Sequence, residues 1–182
     1  MDRRINKTKK ALKDSLTTLM KEKKYNDISI TELCDTANVN RGTFYLHYNS
    51  IEDFLKELED DFITRLSKII VKYYPMSEKE FYLLADEIVE EIKKEKEFMM
   101  VNVGKNGNHN FVRRITRFTK ELALNLNNFK IDEDDDEYMP FYITFVIEGS
   151  IGILVAWIEK GCTDDIFKIL MKLGSLLQKL VI

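Results

Sequence analysis

Residues that break regular structure are scarce in this chain, which has 7 glycines and 2 prolines among its 182 residues. Strand-rich folds need many tight turns, so this scarcity predicts an all-α protein built from long helices. Only two cysteines are present, and Cys34 and Cys162 fit neither a disulfide framework nor a metal-ligand spacing. We therefore expect no metal site and no other cofactor.

Long apolar runs are also absent from the sequence. No stretch of about 18 uncharged apolar residues occurs, so we expect no membrane-spanning helix. The first residues are charged, and no apolar secretory core follows them. With 45% hydrophobic and 32% charged residues, the composition is that of a globular protein and not of a disordered chain. These features together predict a cytoplasmic protein.

Charge is unevenly distributed along the chain, although the net charge is only -3. Residues 1–50 contain 10 Lys and Arg against 6 Asp and Glu, whereas residues 51–182 contain 18 against 25. A basic N-terminal part on an acidic remainder is typical of a chain with a polyanion-binding end. An uneven but merely solvated surface explains the same numbers equally well.

The first third of the chain has a helical pattern that is interrupted by turns. Apolar residues recur at helical spacing over about residues 2–24 and predict the first helix. Ser29 and Glu32 have the spacing of a capping box, in which the serine oxygen accepts a backbone N–H and the glutamate reaches back. The second helix should end in a turn over residues 37–40, because Asn38 is one of the few non-glycine residues that tolerate a left-handed backbone.

Capping residues also mark the start of the next two helices. Asn40 can accept a backbone N–H at the start of a short helix over residues 41–48. Ser50 begins a long amphipathic helix that should end before Pro75, since the residue before a proline is pushed out of the helical region. In the remaining chain we predict a loop over residues 102–110, a solvated acidic run over 132–137, and helices over about 77–96, 111–127, 138–160 and 164–181.

Two short helices joined by a tight turn make residues 29–48 a predicted helix-turn-helix, the motif whose second helix enters the major groove of DNA. At helical spacing Phe44 and Tyr48 share one face, which we predict to be core. The other side presents groups suited to phosphates and base edges, namely Arg41, Thr43, Tyr45 and His47. Gly42 leaves room for the backbone to approach a phosphate closely.

The sequence Gly42-Thr43-Phe44-Tyr45-Leu46-His47-Tyr48, with residues 28–34 before it and residues 50–55 after it, resembles the tetracycline-repressor (TetR/AcrR) family of bacterial transcriptional regulators. The resemblance implies an all-helical homodimer that binds double-stranded DNA. It also implies three parts: a helix-turn-helix DNA-binding head over residues 1–50, a connecting helix over residues 51–74, and an effector-binding and dimerisation body over residues 75–182.

Family roles carry over to individual positions of the head. The resemblance implies DNA contacts at Ser29, Thr31, Asn40, Arg41, Gly42, Thr43, Tyr45, Leu46 and His47. Two positions depart from the family pattern, because Asn38 replaces the usual turn glycine and Ile51 replaces a frequent lysine. Loss of that lysine should flatten the salt dependence of DNA binding by about one unit of slope. Asn49 and Lys56 are candidates to replace the contact.

The last two predicted helices are apolar around most of their circumference, so they should be buried against a second protomer. The predicted dimer interface comprises Gly149, Gly152, Ala156, Trp157, Leu170 and Leu177. The spacing of Gly149, Gly152, Trp157 and Gly161 is similar to that in a subgroup of short TetR-like regulators from low-GC Gram-positive bacteria. Tyr74, Phe98, Met99, Phe118 and Phe145 are candidates to line a pocket for an unidentified small-molecule effector, and ordinary core packing is the alternative.

We therefore predict a sequence-specific transcriptional regulator, a ligand-responsive repressor that binds a palindromic operator as a homodimer. The alternative is a TetR-like co-regulator that acts through a protein partner and binds no operator of its own. The sequence has no recognisable P-loop, dinucleotide fingerprint or catalytic side-chain arrangement. For that reason we do not expect an enzyme.

Overall fold

The computed structural model of the protein describes residues 3–73, 78–125 and 138–169. All regular structure in these ranges is helical, which confirms the predicted fold class. The α-helices are α1 Arg3–Met20, α2 Ile30–Ala37, α3 Arg41–Tyr45, α4 Ile51–Lys72, α5 Glu78–Lys94, α6 Lys96–Val103, α7 His109–Asn125 and α8 Met139–Glu159. A 3-10 turn, Tyr25–Asp27, precedes α2, and residues 166–169 are also helical. None of the helices in these ranges combines the length and the apolarity needed to cross a bilayer.

Side-chain caps start α2 and α4 where the sequence predicts them. Ser29 Oγ accepts a hydrogen bond from the backbone N–H of Glu32 at 3.1 Å, and Ser50 Oγ accepts one from that of Asp53 at 3.0 Å. Each such cap contributes about 1 kcal/mol. The second half of the predicted capping box does not form, because the Glu32 carboxylate instead accepts a hydrogen bond from Lys23 Nζ at 2.6 Å.

Several helix boundaries differ from the expected ones. α1 ends at Met20 and not near residue 24, because the amides of Lys21 and Glu22 bond to carbonyls three residues back and the chain tightens into a turn. α3 ends at Tyr45 and not at residue 48. The chain bends at Glu95 and forms α6, which covers the expected end of α5 and the start of the expected loop. This bend turns Phe98 and Met99 into the core, where 4% and 2% of each is exposed.

One hydrophobic core runs through the head and the body without interruption. It contains Leu12 and Leu16 of α1, Phe54 of α4, Phe98 of α6 and Phe111 of α7. α1 packs against α2 on one side and against α6 on the other. The head therefore contacts the body directly where α1 packs against α6.

A buried carboxylate joins α4 to the region between α6 and α7. Glu59 has no exposed side-chain surface and accepts hydrogen bonds from Asn102 Nδ2 at 3.2 Å and from Asn108 Nδ2 at 3.1 and 3.2 Å. The guanidinium of Arg114 also contacts it. Gly107 allows the loop to close here, since a Cβ at that position would lie 1.9 Å from the carbonyl oxygen of Asn102. Burial raises the pKa of Glu59, and these three donors oppose the shift.

Candidate nucleic-acid interface

The turn between α2 and α3 contains a residue with a left-handed backbone, as predicted. Asn38 has φ 51° and ψ 45°, a region that asparagine tolerates better than most residues with a side chain. Its N–H bonds to the carbonyl of Asp35 at 3.2 Å, and the N–H of Val39 bonds to that of Cys34 at 2.9 Å. The turn therefore forms with asparagine at the position where the family usually has glycine.

The inner face of α3 is held by aromatic packing. Phe44 is fully buried and Tyr48 is 8% exposed, which confirms that both are core residues. The ring of Phe54 lies 6.2 Å from that of Phe44 and 4.8 Å from that of Tyr48 between centroids. The Tyr48 hydroxyl donates to Glu57 Oε1 at 3.1 Å, and burial together with this carboxylate raises the pKa of Tyr48 to about 12. This packing fixes which side of α3 faces outward.

The start of α3 is shaped by a cap and a glycine. Asn40 Oδ1 accepts a hydrogen bond from the backbone N–H of Gly42 at 2.7 Å. A Cβ at position 42 would lie 3.0 Å from the same oxygen, so a larger residue would press on the cap. Because Oδ1 of Asn40 is engaged in this way, its Nδ2 is the group left to contact DNA.

Most of the predicted DNA contacts lie on the surface. Ser29, Thr31, Asn40, Arg41, Gly42, Tyr45, Leu46 and His47 are exposed, and Thr43 is half-buried. Tyr45 and Leu46 are 57% and 79% exposed, so neither large side chain contributes much to the core. Arg41 Nη1 donates to Thr31 Oγ1 at 3.3 Å, which brings the start of α3 next to the start of α2.

The structure places these predicted contacts on two sides of α3. Arg41 lies on the side of α2, through its hydrogen bond with Thr31. Thr43 and His47 instead line a cavity of about 390 Å³ against α1, together with Ile5, Thr8, Lys9, Leu12, Tyr48 and Glu57. A duplex that reached both sets would have to contact α2, α3 and α1 at once.

The motif has little positive charge of its own. Between residues 25 and 55, Arg41 is the only Lys or Arg, against five Asp and Glu. Ile51 is 7% exposed and belongs to the core, so the position where the family often has a lysine offers no cation. The nearby Lys9 is paired with Asp61 at 2.6 Å and with Glu57. Apart from Arg41, the motif can offer a phosphate only hydroxyl, phenol, imidazole, side-chain amide and backbone groups.

Comparison with known proteins agrees with this geometry. The family model described as bacterial regulatory proteins of the tetR family matches residues 14–58, which contain the helix-turn-helix. The model described as transcriptional regulator C-terminal region matches residues 79–179, more than half of the chain. The chain belongs to the TetR family of transcriptional regulators. No curated protein matches it.

In this TetR-family protein, α8 presents an apolar stripe to solvent. Phe141 and Phe145 are 71% and 62% exposed, and Gly149, Gly152 and Ala156 are exposed as well. A Cβ at Gly149 or at Gly152 would have nothing within 4 Å. At 3.6 residues per turn, these five positions lie within a sector of about 80°. Three of the predicted interface residues thus lie together on one exposed face.

Trp157 corrects the interface prediction. It is 2% exposed, and its Nε1 donates to the carbonyl of Asp164 at 2.8 Å within the same protomer. It is therefore a core residue of its own protomer and not an interface residue, because it lies on the side of α8 that carries the buried Ile143 and Ile147. Leu170 and Leu177, the other two predicted interface residues, lie outside the described residues.

The predicted effector-pocket residues do not line one space together. Phe98 and Met99 are core residues, Phe118 is half-buried on α7, and Phe145 lies on the exposed stripe of α8. Phe145 faces solvent while Phe98 and Met99 face the core, so these three do not enclose a common pocket within a protomer. Tyr74 and the acidic run over residues 132–137 lie outside the described residues.

Sequence reasoning missed two surfaces of the regulator. Phe141 extends the α8 stripe, and its position four residues before Phe145 was the signal that could have placed it on the same helix face. A cleft of about 680 Å³ between α1 and the junction of α5 with α6 also went unforeseen. Its walls come from segments far apart in the chain, so no local sequence pattern predicts it.

Proposed function

We propose that this protein is a sequence-specific DNA-binding regulator that acts in the cytoplasm as a ligand-responsive repressor. The observation that carries the proposal is the exposed polar and aromatic surface of α2 and α3, held outward by buried Phe44 and Tyr48. Tyr45 is 57% exposed and Arg41 lies at the start of α3, the end of a recognition helix that contacts base edges. Core packing explains neither side chain, whereas DNA binding explains both.

Each exposed group fits a particular part of a duplex. The Arg41 guanidinium, oriented by Thr31, is suited to a bidentate contact with a guanine. Tyr45 and His47 are suited to phosphates, and Leu46 is suited to a thymine methyl group. Ser29 Oγ already caps α2, so its hydroxyl hydrogen remains available to a phosphate oxygen.

The stripe on α8 is best explained by a second copy of the chain. An exposed face with two phenylalanines beside small residues is costly to leave in water and allows close approach of another helix. Of the residues in α8, only Glu148 and Glu159 are charged. A two-fold dimer built on this face would present two recognition helices to a palindromic operator, with half-sites about one helical turn apart.

A ligand can control such a dimer only if it binds one arrangement of the heads more tightly than another. We assign residues 1–50 to the DNA-binding head, residues 51–74 to the connecting helix and residues 75–182 to the effector-binding and dimerisation body. We expect α4 to transmit a movement of the body to the head, because the Glu59 contacts tie it to α6, α7 and the loop between them. A shift of that region would move α4 and thus the head.

The test is selection of binding sites from sheared genomic DNA of the source organism with the full chain, at two salt concentrations. We expect enrichment of an inverted repeat upstream of a gene, with binding that weakens as salt rises. Arg41→Ala serves as the matched variant, because it removes the exposed guanidinium without touching the core. Transcription from the enriched promoter should rise when the protein is withheld.

The opposite result has a definite meaning. If the folded dimer enriches no sequence even at low salt, the protein does not bind an operator of its own. The alternative, a TetR-like co-regulator that acts through a protein partner, would then account for the buried Ile51 and for a motif with one cation.

A further inference from the structure

A cleft of about 680 Å³ separates α1 from the junction of α5 with α6. Six lysines line it, three from each wall: Lys10, Lys13, Lys21, Lys93, Lys94 and Lys96. The carboxylates that line it are Asp14, Glu95 and Glu97, so amines outnumber carboxylates by two to one. An open space of this size with an excess of positive charge favours an anionic occupant.

Two ion pairs cross the cleft, and three others join three of its remaining lysines to Asp14, Glu90 and Glu91. Lys13 contacts Glu95, and Lys21 Nζ lies 2.6 Å from Glu97 Oε2. The Lys21 and Glu97 side chains are 53% and 62% exposed, and ion pairs that are this exposed are weak because water and salt screen them. A multivalent anion can therefore replace Glu97 on Lys21, and Lys13 can add its charge while it keeps its contact with Glu95.

The floor of the cleft holds one of the amines in place. Lys13 Nζ lies 4.9 Å from the centre of the Phe98 ring, and its side chain is only 20% exposed. Phe98 is itself buried in the core between α1 and α6. An ammonium held in this way keeps its charge directed into the cleft whether or not Glu95 is its partner.

We propose that this cleft binds a small phosphate-bearing molecule with several negative charges, such as a nucleotide or an inorganic polyphosphate. Lysine binds phosphate as a point charge, and lysines on both walls can reach a compact chain of phosphates at once. The volume lies within the range of small-molecule sites. This site is separate from the recognition surface, because none of its lining residues belongs to α2 or α3.

Occupation of the cleft would change how the head sits on the body. One wall is formed by α1 and by Lys21 just after it, and α1 packs against both α2 and α6; the other wall belongs to the body. An anion held by both walls is bound best at one separation of the two, so its binding is coupled to the position of the head. This consequence rests on the proposed DNA-binding function, whereas binding of the anion does not.

The binding test is isothermal titration calorimetry of the full chain with sodium pyrophosphate, without divalent cations and at constant ionic strength. We expect saturable binding that Lys10→Gln and Lys96→Gln, one from each wall, weaken severalfold singly and about tenfold or more together. Lys68→Gln is the matched control, because Lys68 is exposed on α4 and does not line the cleft. Circular dichroism of each variant establishes that the fold is unchanged.

Three results would overturn the proposal. They are no saturable heat at constant ionic strength, an equal loss of affinity in Lys68→Gln, and a loss of pyrophosphate affinity in Arg41→Ala, which would move the anion to the recognition surface. Operator binding is measured separately, without pyrophosphate. Saturable binding that depends on the cleft lysines supports the site even if no operator is ever found, so failure of the two proposals can be told apart.

Discussion

Arg114 of α7 places its guanidinium against the buried carboxylate of Glu59 on α4 and against the neighbouring Asp60. The side chain of Glu59 has no exposed surface, and that of Arg114 is 22% exposed. A buried charge is tolerated only while its partners remain in place. This relationship therefore holds the connecting helix to the body at one defined position.

Removal of the Glu59 carboxylate should destabilise the whole fold. Glu59→Ala leaves Arg114, Asn102 and Asn108 without their shared acceptor, and we expect the free energy of unfolding to fall by about 3–5 kcal/mol. Urea denaturation followed by circular dichroism measures the change. Glu121→Ala, on the exposed face of α7, is the control and should change stability by about 0.5 kcal/mol or less. Equal stabilities of the two variants would refute this role of Glu59.

Arg41 should determine part of the operator sequence. Arg41→Ala is expected to weaken binding to the selected operator by about 1–3 kcal/mol and to relax the preference at one base pair in each half-site. Repeating the site selection with the variant measures both effects. Tyr45→Phe is the comparison, because loss of a phosphate contact should weaken all sequences about equally. If Arg41→Ala retains the full sequence preference, the residue does not read a base.

The free energy of unfolding should fall in strongly alkaline solution, because Tyr48 loses its proton there. Its pKa is about 12 in the folded chain against a usual value of 10.0, chiefly because of burial. The folded chain thus holds this proton more tightly than the unfolded chain. The resulting stabilisation is complete below about pH 10 and is lost as the pH rises toward 12. Urea unfolding from about pH 9 to 11.5 should show the wild type losing stability relative to Tyr48→Phe. If the difference in unfolding free energy between the wild type and Tyr48→Phe stays constant across this range, Tyr48 does not have a raised pKa in the folded chain.

The α8 stripe should control the oligomeric state. Gly149→Glu places a charge on the apolar face, and we expect the dissociation constant of the proposed dimer to rise about a hundredfold or more. The protomer should remain folded, since a Cβ at position 149 meets nothing within 4 Å. Sedimentation equilibrium measures the change in mass. Thr64→Glu, which adds the same charge at an exposed site on α4, should leave the mass unchanged. Dissociation by both variants would show that general charge repulsion, and not the stripe, is responsible.

The helix-turn-helix could be predicted almost completely from its sequence. The caps at Ser29, Asn40 and Ser50, the left-handed Asn38 and the buried Phe44 all follow from local rules that involve residues within about four positions. The capping box was only half right, because Lys23 lies within reach of Glu32 and binds its carboxylate. A local pattern does not include such a competitor from the preceding segment.

The body was less predictable, because its side-chain directions depend on contacts between distant helices and not on local rules. α8 is apolar around most of its circumference, so periodicity cannot distinguish the side that meets its own core from the side that faces outward. Trp157 was expected at the interface and is buried in its own protomer, while Phe145 was expected in a pocket and is exposed. The direction of each side chain depends on where α6 and α7 pack against α8.

By itself, the sequence determined the all-helical class, the recognition motif and the set of residues that α3 exposes, because helical period, capping and turn conformation are properties of near neighbours. Only the tertiary structure decided which distant residues meet. Glu59 meets Arg114 across 55 positions, and Lys13 meets Glu95 across 82. These contacts depend on the angles and offsets at which helices pack, and many such arrangements satisfy the same hydrophobic pattern. The buried network and the basic cleft therefore exist only in the folded protein.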